Sequence, residues 1–130
     1  DAAVWLFGAG TWAPDFDLDR SKAFVANFEA KYGYVPGSYA MQAYDAALLI
    51  DSAVSAVGGD VSDKAGLKAA LKAAKFDSMR GTFKFNVNQY PIQDFYLLNI
   101  AKRPDGKYQT EIAQKILTDS GDSFAAECKM

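Results

Sequence analysis

Gly8-Ala9-Gly10-Thr11-Trp12-Ala13 fits the G-x-G-x-x-A pattern of a dinucleotide-binding turn placed directly after an apolar run. That chemistry needs the glycines to open a helix whose N-terminus holds a pyrophosphate, with an acidic residue roughly twenty positions on at the end of a second strand. Pro14 and an acidic loop stand where the helix should run, and Glu29, at the right distance, falls on a helical stretch, so the motif is set aside. Asp15, Asp17 and Asp19 alternate like metal ligands, but no Gly follows at the turn position and no Glu closes a calcium loop, so they read as N-caps. Asp45 and Asp51 share a helix, yet their spacing is about 600° of rotation and they do not converge as an acid/base pair. The absence of His removes an imidazole base, a His-based triad and a His-based zinc site. Neither an enzyme nor a cofactor is expected.

Three amphipathic side chains at element ends are left as binding candidates: Trp12 in the loop after the first strand, and Tyr39 and Gln42 in the first turn of the second helix. In α/β sheets ligands sit at strand ends and between lobes, where an aromatic covers an apolar body and an amide fixes a polar group. The simpler alternative is that Trp12 and Tyr39 pack against their neighbours.

The elements that must hold these residues follow from the apolar period. Residues 2–9 read as a strand buried on both faces. Residues 19–32 read as an amphipathic helix with Phe24, Phe28 and Tyr32 as its buried stripe and Gly33 as its stop. Ser38 is placed to cap a second helix to about residue 57, Ala-rich on one face, with Ser38, Gln42, Asp45, Ser52 and Ser55 as a narrow wet strip. Ser62 is placed to cap a third to about residue 75, with Leu67, Leu71 and Ala74 inward and Lys64, Lys68, Lys72 and Lys75 on a solvated face. Residues 82–85 alternate as a strand, 86–94 read as a polar loop containing Pro91, and 95–100 and 107–112 flank the turn signal Arg103-Pro104-Asp105-Gly106 as an antiparallel hairpin. A short helix is expected near residues 123–127.

The chain has 130 residues, half of them apolar, with 18 aromatics and one Cys. A compact fold of this mass buries about two-thirds of its unfolded surface, enough for one core. No apolar run reaches the roughly 18 residues of a membrane span. Residues 1–60 carry 3 basic and 8 acidic side chains, residues 61–130 carry 11 and 8, and neither half has the field that draws in nucleic acid or an anionic membrane. Cys128 is a free thiol or pairs outside this stretch. The opening on Ala2-Ala3-Val4-Trp5-Leu6-Phe7, without initiator Met or leader, is expected of a mature protein or a fragment, and the fragment is preferred.

The order and spacing of several segments carry a resemblance over nearly the whole chain. They are Trp12-Ala13-Pro14-Asp15-Phe16-Asp17, Lys22-Ala23-Phe24-Val25, Phe28-Glu29, Lys31-Tyr32-Gly33, Pro36, Tyr39-Ala40, Gln42, Tyr44-Asp45-Ala46-Ala47, Arg80-Gly81, Phe83 and Phe85. Together they resemble the C-terminal third of type I periplasmic solute-binding proteins, the leucine/isoleucine/valine-binding components of ABC transporters. The resemblance implies an α/β chain that is part of a two-lobed fold with crossover strands. Residues 1–12 would be a crossover strand, 13–94 the C-terminal contribution to the first lobe, and 95–130 the returning hairpin and second-lobe C-terminus. It implies a ligand contact at Tyr39, the aromatic five residues before Tyr44, with Trp12 beside the crossover. It further implies capture of an amino acid, another amide or an aromatic carboxylate in the periplasm, with the missing N-terminal part of the protein and an ABC permease as partners. A ligand-sensing receptor domain of the same fold is the alternative. Cys128 would bond to a Cys upstream.

Overall fold

The computed structural model describes residues 3–128. In chain order the elements are β1 (Phe7–Gly10), α1 (Asp19–Tyr32), α2 (Ser38–Ala56), α3 (Lys64–Ala73), β2 (Lys84–Phe85), β3 (Pro91–Lys102), β4 (Tyr108–Ser120) and a short 3-10 turn, Ala125–Glu127. The fold is mixed α/β with an antiparallel sheet centred on β3. The start of β3 pairs with β2 at Lys84↔Ile92, and further along, on one side, β3 pairs with β1 from Phe7↔Asn99 to Gly10↔Tyr96. On the other it pairs with β4 from Gln93↔Ser120 to Lys102↔Tyr108, with register shifts between Gln93 and Leu98.

The helices form where the periodicity places them. In α1, Phe24 is buried and its ring stands 5.8 Å from that of Phe28, but the stripe turns outward at Tyr32, which is half-exposed. Gly33 ends the helix in the left-handed region (φ 78°) and donates its N–H to the Glu29 carbonyl, a conformation that a Cβ would strain. The acidic run does not cap it. The N-cap is Leu18, Asp19 lies in the first turn where a negative charge suits the helix dipole, and the Asp15 carboxylate accepts the Ile112 N–H of β4 instead. Nor does Ser38 cap α2, for the N-cap is Gly37, and Ser38 is the first helical residue. At α3 the cap is Asp63, whose carboxylate accepts the Gly66 N–H, because Ser62 is already committed to Asp60 through both its hydroxyl and its N–H.

The strands differ more from expectation. The first begins at Phe7 rather than near residue 2, which itself lies outside the described residues. Residues 3–5 form a turn, and Trp5, Leu6 and Phe7 are 84%, 59% and 68% exposed. The strand is thus open rather than buried on both faces, since β3 flanks it along one edge and no described element closes over it. Pro91 opens β3 instead of sitting in the preceding loop, a position where a missing N–H breaks no ladder bond. The hairpin turn falls at residues 103–106 as expected, with Gly106 at φ 84° and the Arg103 N–H donated to the Lys107 carbonyl, but both arms are longer than the sequence signalled.

Two clusters share the core. Trp12, Phe24, Met41 and Met79 pack between α1, α2 and the loop after α3, while Ala13, Tyr96 and Leu98 pack under the sheet. Phe16 touches both and meets Tyr96 edge to face at 5.7 Å. Glu29 on α1 accepts from Arg103 and, at 2.7 Å, from Lys107, which ties the helix to the hairpin turn.

Candidate functional site

The first turn of α2 is presented from below. Pro36 is buried, Gly37 is extended, and its carbonyl receives the Ala40 and Met41 N–H groups at 3.1 and 3.3 Å. Met41 enters the core against Trp12. Residues two apart on a helix lie about 200° apart around its axis, so Tyr39 is turned away from that core and is 86% exposed. Gln42 is exposed on the same outer side. An aromatic ring and an amide therefore stand together on a turn whose inner side is fixed by packing.

Trp12 is placed otherwise. It is fully buried, its indole N–H is donated to the Ser21 hydroxyl at 2.7 Å, and its ring meets Phe24 edge to face at 6.1 Å. The packing alternative describes Trp12 and not Tyr39. Trp12 supports the turn through Met41, and the structure brings Tyr39 and Gln42 together without it.

A second group was not foreseen. Asp45, read from the sequence as part of a wet strip, is only 2% exposed. Its carboxylate accepts the Ser78 hydroxyl at 2.6 Å, the Met79 N–H at 2.7 Å and the Arg80 Nε–H at 3.1 Å. Arg80 also donates to the Gln93 amide oxygen at 2.6 Å and lies 4.8 Å over the Phe83 ring. The sequence signal was a carboxylate on a helix that carries no basic residue, so that no neighbour on α2 could pair it.

Two concavities adjoin these elements. A polar recess of about 300 Å³ lies where β1 ends and β3 begins, lined by Thr11, Arg80, Lys84, Gln93 and Asp94. Asp94 is held ionised below the usual carboxylate range by the Lys115 ammonium and then by the Asp119 N–H. An apolar groove of about 820 Å³ runs between α1 and α2 over Phe28, Tyr32, Tyr44 and Ala47. Among the described residues no group of three or more His, Cys, Asp or Glu could hold a metal ion.

The model of a family described as periplasmic binding protein matches residues 1–107. The chain belongs to the periplasmic binding protein family. The α/β class and the relation to two-lobed binding proteins drawn from the sequence stand with it. A solute-binding protein of an ABC transporter from R. palustris, solved in complex with benzoate, is 36% identical with a TM-score of 0.87, over 99% of this chain and 34% of that one. An ABC transporter substrate-binding protein from Sphaerobacter thermophilus is 30% identical with a TM-score of 0.80, over 92% of this chain and 32% of that one. A solute-binding protein of an ABC transporter from Rhodopseudomonas palustris BisB5, in complex with 3,4-dihydroxybenzoic acid, is 27% identical with a TM-score of 0.81, over 95% and 33%. This periplasmic binding protein chain thus spans about a third of the length of the solved structures it matches. No curated protein matches it. Among the described residues no helix is long and apolar enough to cross a membrane.

Proposed function

We propose that this chain is part of the periplasmic solute-binding component of an ABC importer, and that the ligand is a small aromatic carboxylate held between two lobes. The observation that carries the reading is the 36% identity across 99% of the chain to a protein solved with benzoate. The complex of another relative with 3,4-dihydroxybenzoic acid supports the same ligand class over a branched-chain amino acid. The ABC-transporter descriptions of these relatives favour import over a receptor role.

In this reading Tyr39 and Gln42 face the ligand from the first lobe, formed in part by residues 13–94. β1 and the β3–β4 hairpin are crossovers, and ligand closes the lobes by shifting an open-to-closed population. Binding is non-covalent, with no catalytic step, and the closed form delivers to a membrane permease. The chain exposes 8319 Å², against about 6,700 Å² for a compact monomer of its mass. That excess, with Trp5, Leu6 and Phe7 open, supports a larger polypeptide around it.

The test is thermal unfolding of the natural full-length protein with benzoate, 4-hydroxybenzoate, leucine, isoleucine or valine. A ligand at a hundredfold excess over its Kd stabilises by about 2.7 kcal/mol, so benzoates are expected to raise the melting temperature by several degrees and the aliphatic amino acids to leave it unchanged. The reverse pattern overturns the ligand class.

A further inference from the structure

We infer that Asp45 is a positioning residue for the ligand-facing turn of α2, and that the clip Asp45–Arg80–Gln93 fixes the rotation of that turn against β3. The inference rests on the reading of Tyr39 and Gln42 as ligand contacts.

The N-terminal end of α2 has no side-chain cap, so no side-chain hydrogen bond at its entry sets the helix azimuth. Two inner-face residues one turn apart do so. Met41 is wedged into the core with Trp12 and Met79, and Asp45 is bound by three successive residues, 78 to 80. A helix with its side chains is about 10–12 Å across, so a small rotation of α2 at the clip swings the exposed Tyr39 ring sideways. Arg80 completes the arrangement. Its planar guanidinium directs one N–H to Asp45 and another to Gln93, at the start of β3 where the ladder to β4 shifts register. A buried ion pair adds little net stability compared with apolar residues of the same shape, but it holds one geometry. Here that geometry joins the helix bearing Tyr39 to the strand read above as a crossover.

The experiment uses the natural full-length protein with benzoate as the probe. Gln93→Met removes the last link while leaving the half-buried position filled, and is expected to weaken benzoate binding five- to tenfold while the melting temperature of the free protein moves by less than about 2 °C. Gln93→Glu, which keeps an acceptor for Arg80, is expected to restore affinity to within twofold. Arg80→Lys, which keeps the charge without the fork, is expected to weaken binding at least as much as Gln93→Met. Hydrogen exchange at residues 39–44 is expected to quicken in Gln93→Met relative to residues 49–55 of the same helix. Wild-type affinity in Gln93→Met and Arg80→Lys, or exchange that rises evenly along α2, overturns the inference. If Tyr39→Ala weakens binding while the clip variants do not, the inference falls and the functional reading stands. If the wild-type protein binds no benzoate, both fall.

Discussion

Replacing Glu29 by Gln tests how the helical layer is joined to the hairpin. Glu29 has a side chain only 14% exposed and serves Arg103 and Lys107, whose side chains are 27% and 37% exposed. A hydrogen bond to a charged group contributes about 1.5–3 kcal/mol when shielded, but water screens the outer parts of both cations, so about 1 kcal/mol for each contact is the appropriate scale. Arg103 keeps its contact with Asp105 at 3.0 Å and is not left unpaired. The substitution should therefore cost about 2 kcal/mol. With an unfolding entropy of about 2.1 cal/mol/K per residue, that corresponds to a fall of roughly 7 °C in melting temperature. Its pH dependence has a defined sign. Hydrogen bonds from Lys107 and then Arg103 hold the Glu29 carboxyl below its ordinary value of 4.5. The unfolded chain thus takes up the proton first on acidification, so the contribution is complete above about pH 4.5 and is lost as the pH falls through the folded value. Thermal unfolding followed by circular dichroism from pH 3 to pH 8 should show a constant gap between wild type and Glu29→Gln down to about pH 5, then a closing one. A variant within about 2 °C of wild type at neutral pH, or a gap that persists unchanged in acid, would show that the clamp is not what joins α1 to the hairpin.

Ser21→Ala should cost about 1–3 kcal/mol by leaving the buried Trp12 indole N–H without its acceptor, and a double-mutant cycle with Trp12→Phe should show the two residues coupled by about 1 kcal/mol in denaturant unfolding. Gly10→Ala should destabilise by about 1–3 kcal/mol, since the added Cβ would stand 2.8 Å from Leu98 Cδ1 in the sheet core, and equilibrium urea unfolding measures it.

The helices were legible because their information is local. Phe24, Phe28 and the stop at Gly33 delimit α1 by period and terminator alone, and Pro104-Asp105-Gly106 marks the hairpin turn by backbone preference. The lengths of β3 and β4 were not legible. Most of β4 is exposed, so Tyr108 to Ser120 carries little of the alternation that reveals a strand, and Pro91 reads as a breaker until β3 is seen to start with it. Burial on both faces was inferred for β1 from its apolarity, but apolar composition reports what a segment is suited to touch, not what lies beside it. Of the candidate site, the outward pairing of Tyr39 and Gln42 followed from their place in the first turn of a helix. The core role of Trp12 depended on Ser21 and Met41 reaching it, and the clip depended on Asp45 of α2, Arg80 of the turn before β2 and Gln93 of β3 meeting, which no local pattern encodes.

The order in which the sheet assembles follows from where its partners lie along the chain. Closing the five-residue connection of the hairpin costs far less chain entropy than closing the loop between Gly10 and Tyr96, a difference of about 2.5 kcal/mol by the logarithmic length rule. The hairpin can zip early on its own, whereas β1 contributes four residues and docks late. Late docking also means easy release. At high concentration during refolding, the β3 edge that a late β1 leaves open is where a strand of a second molecule can pair, so association should rise with concentration.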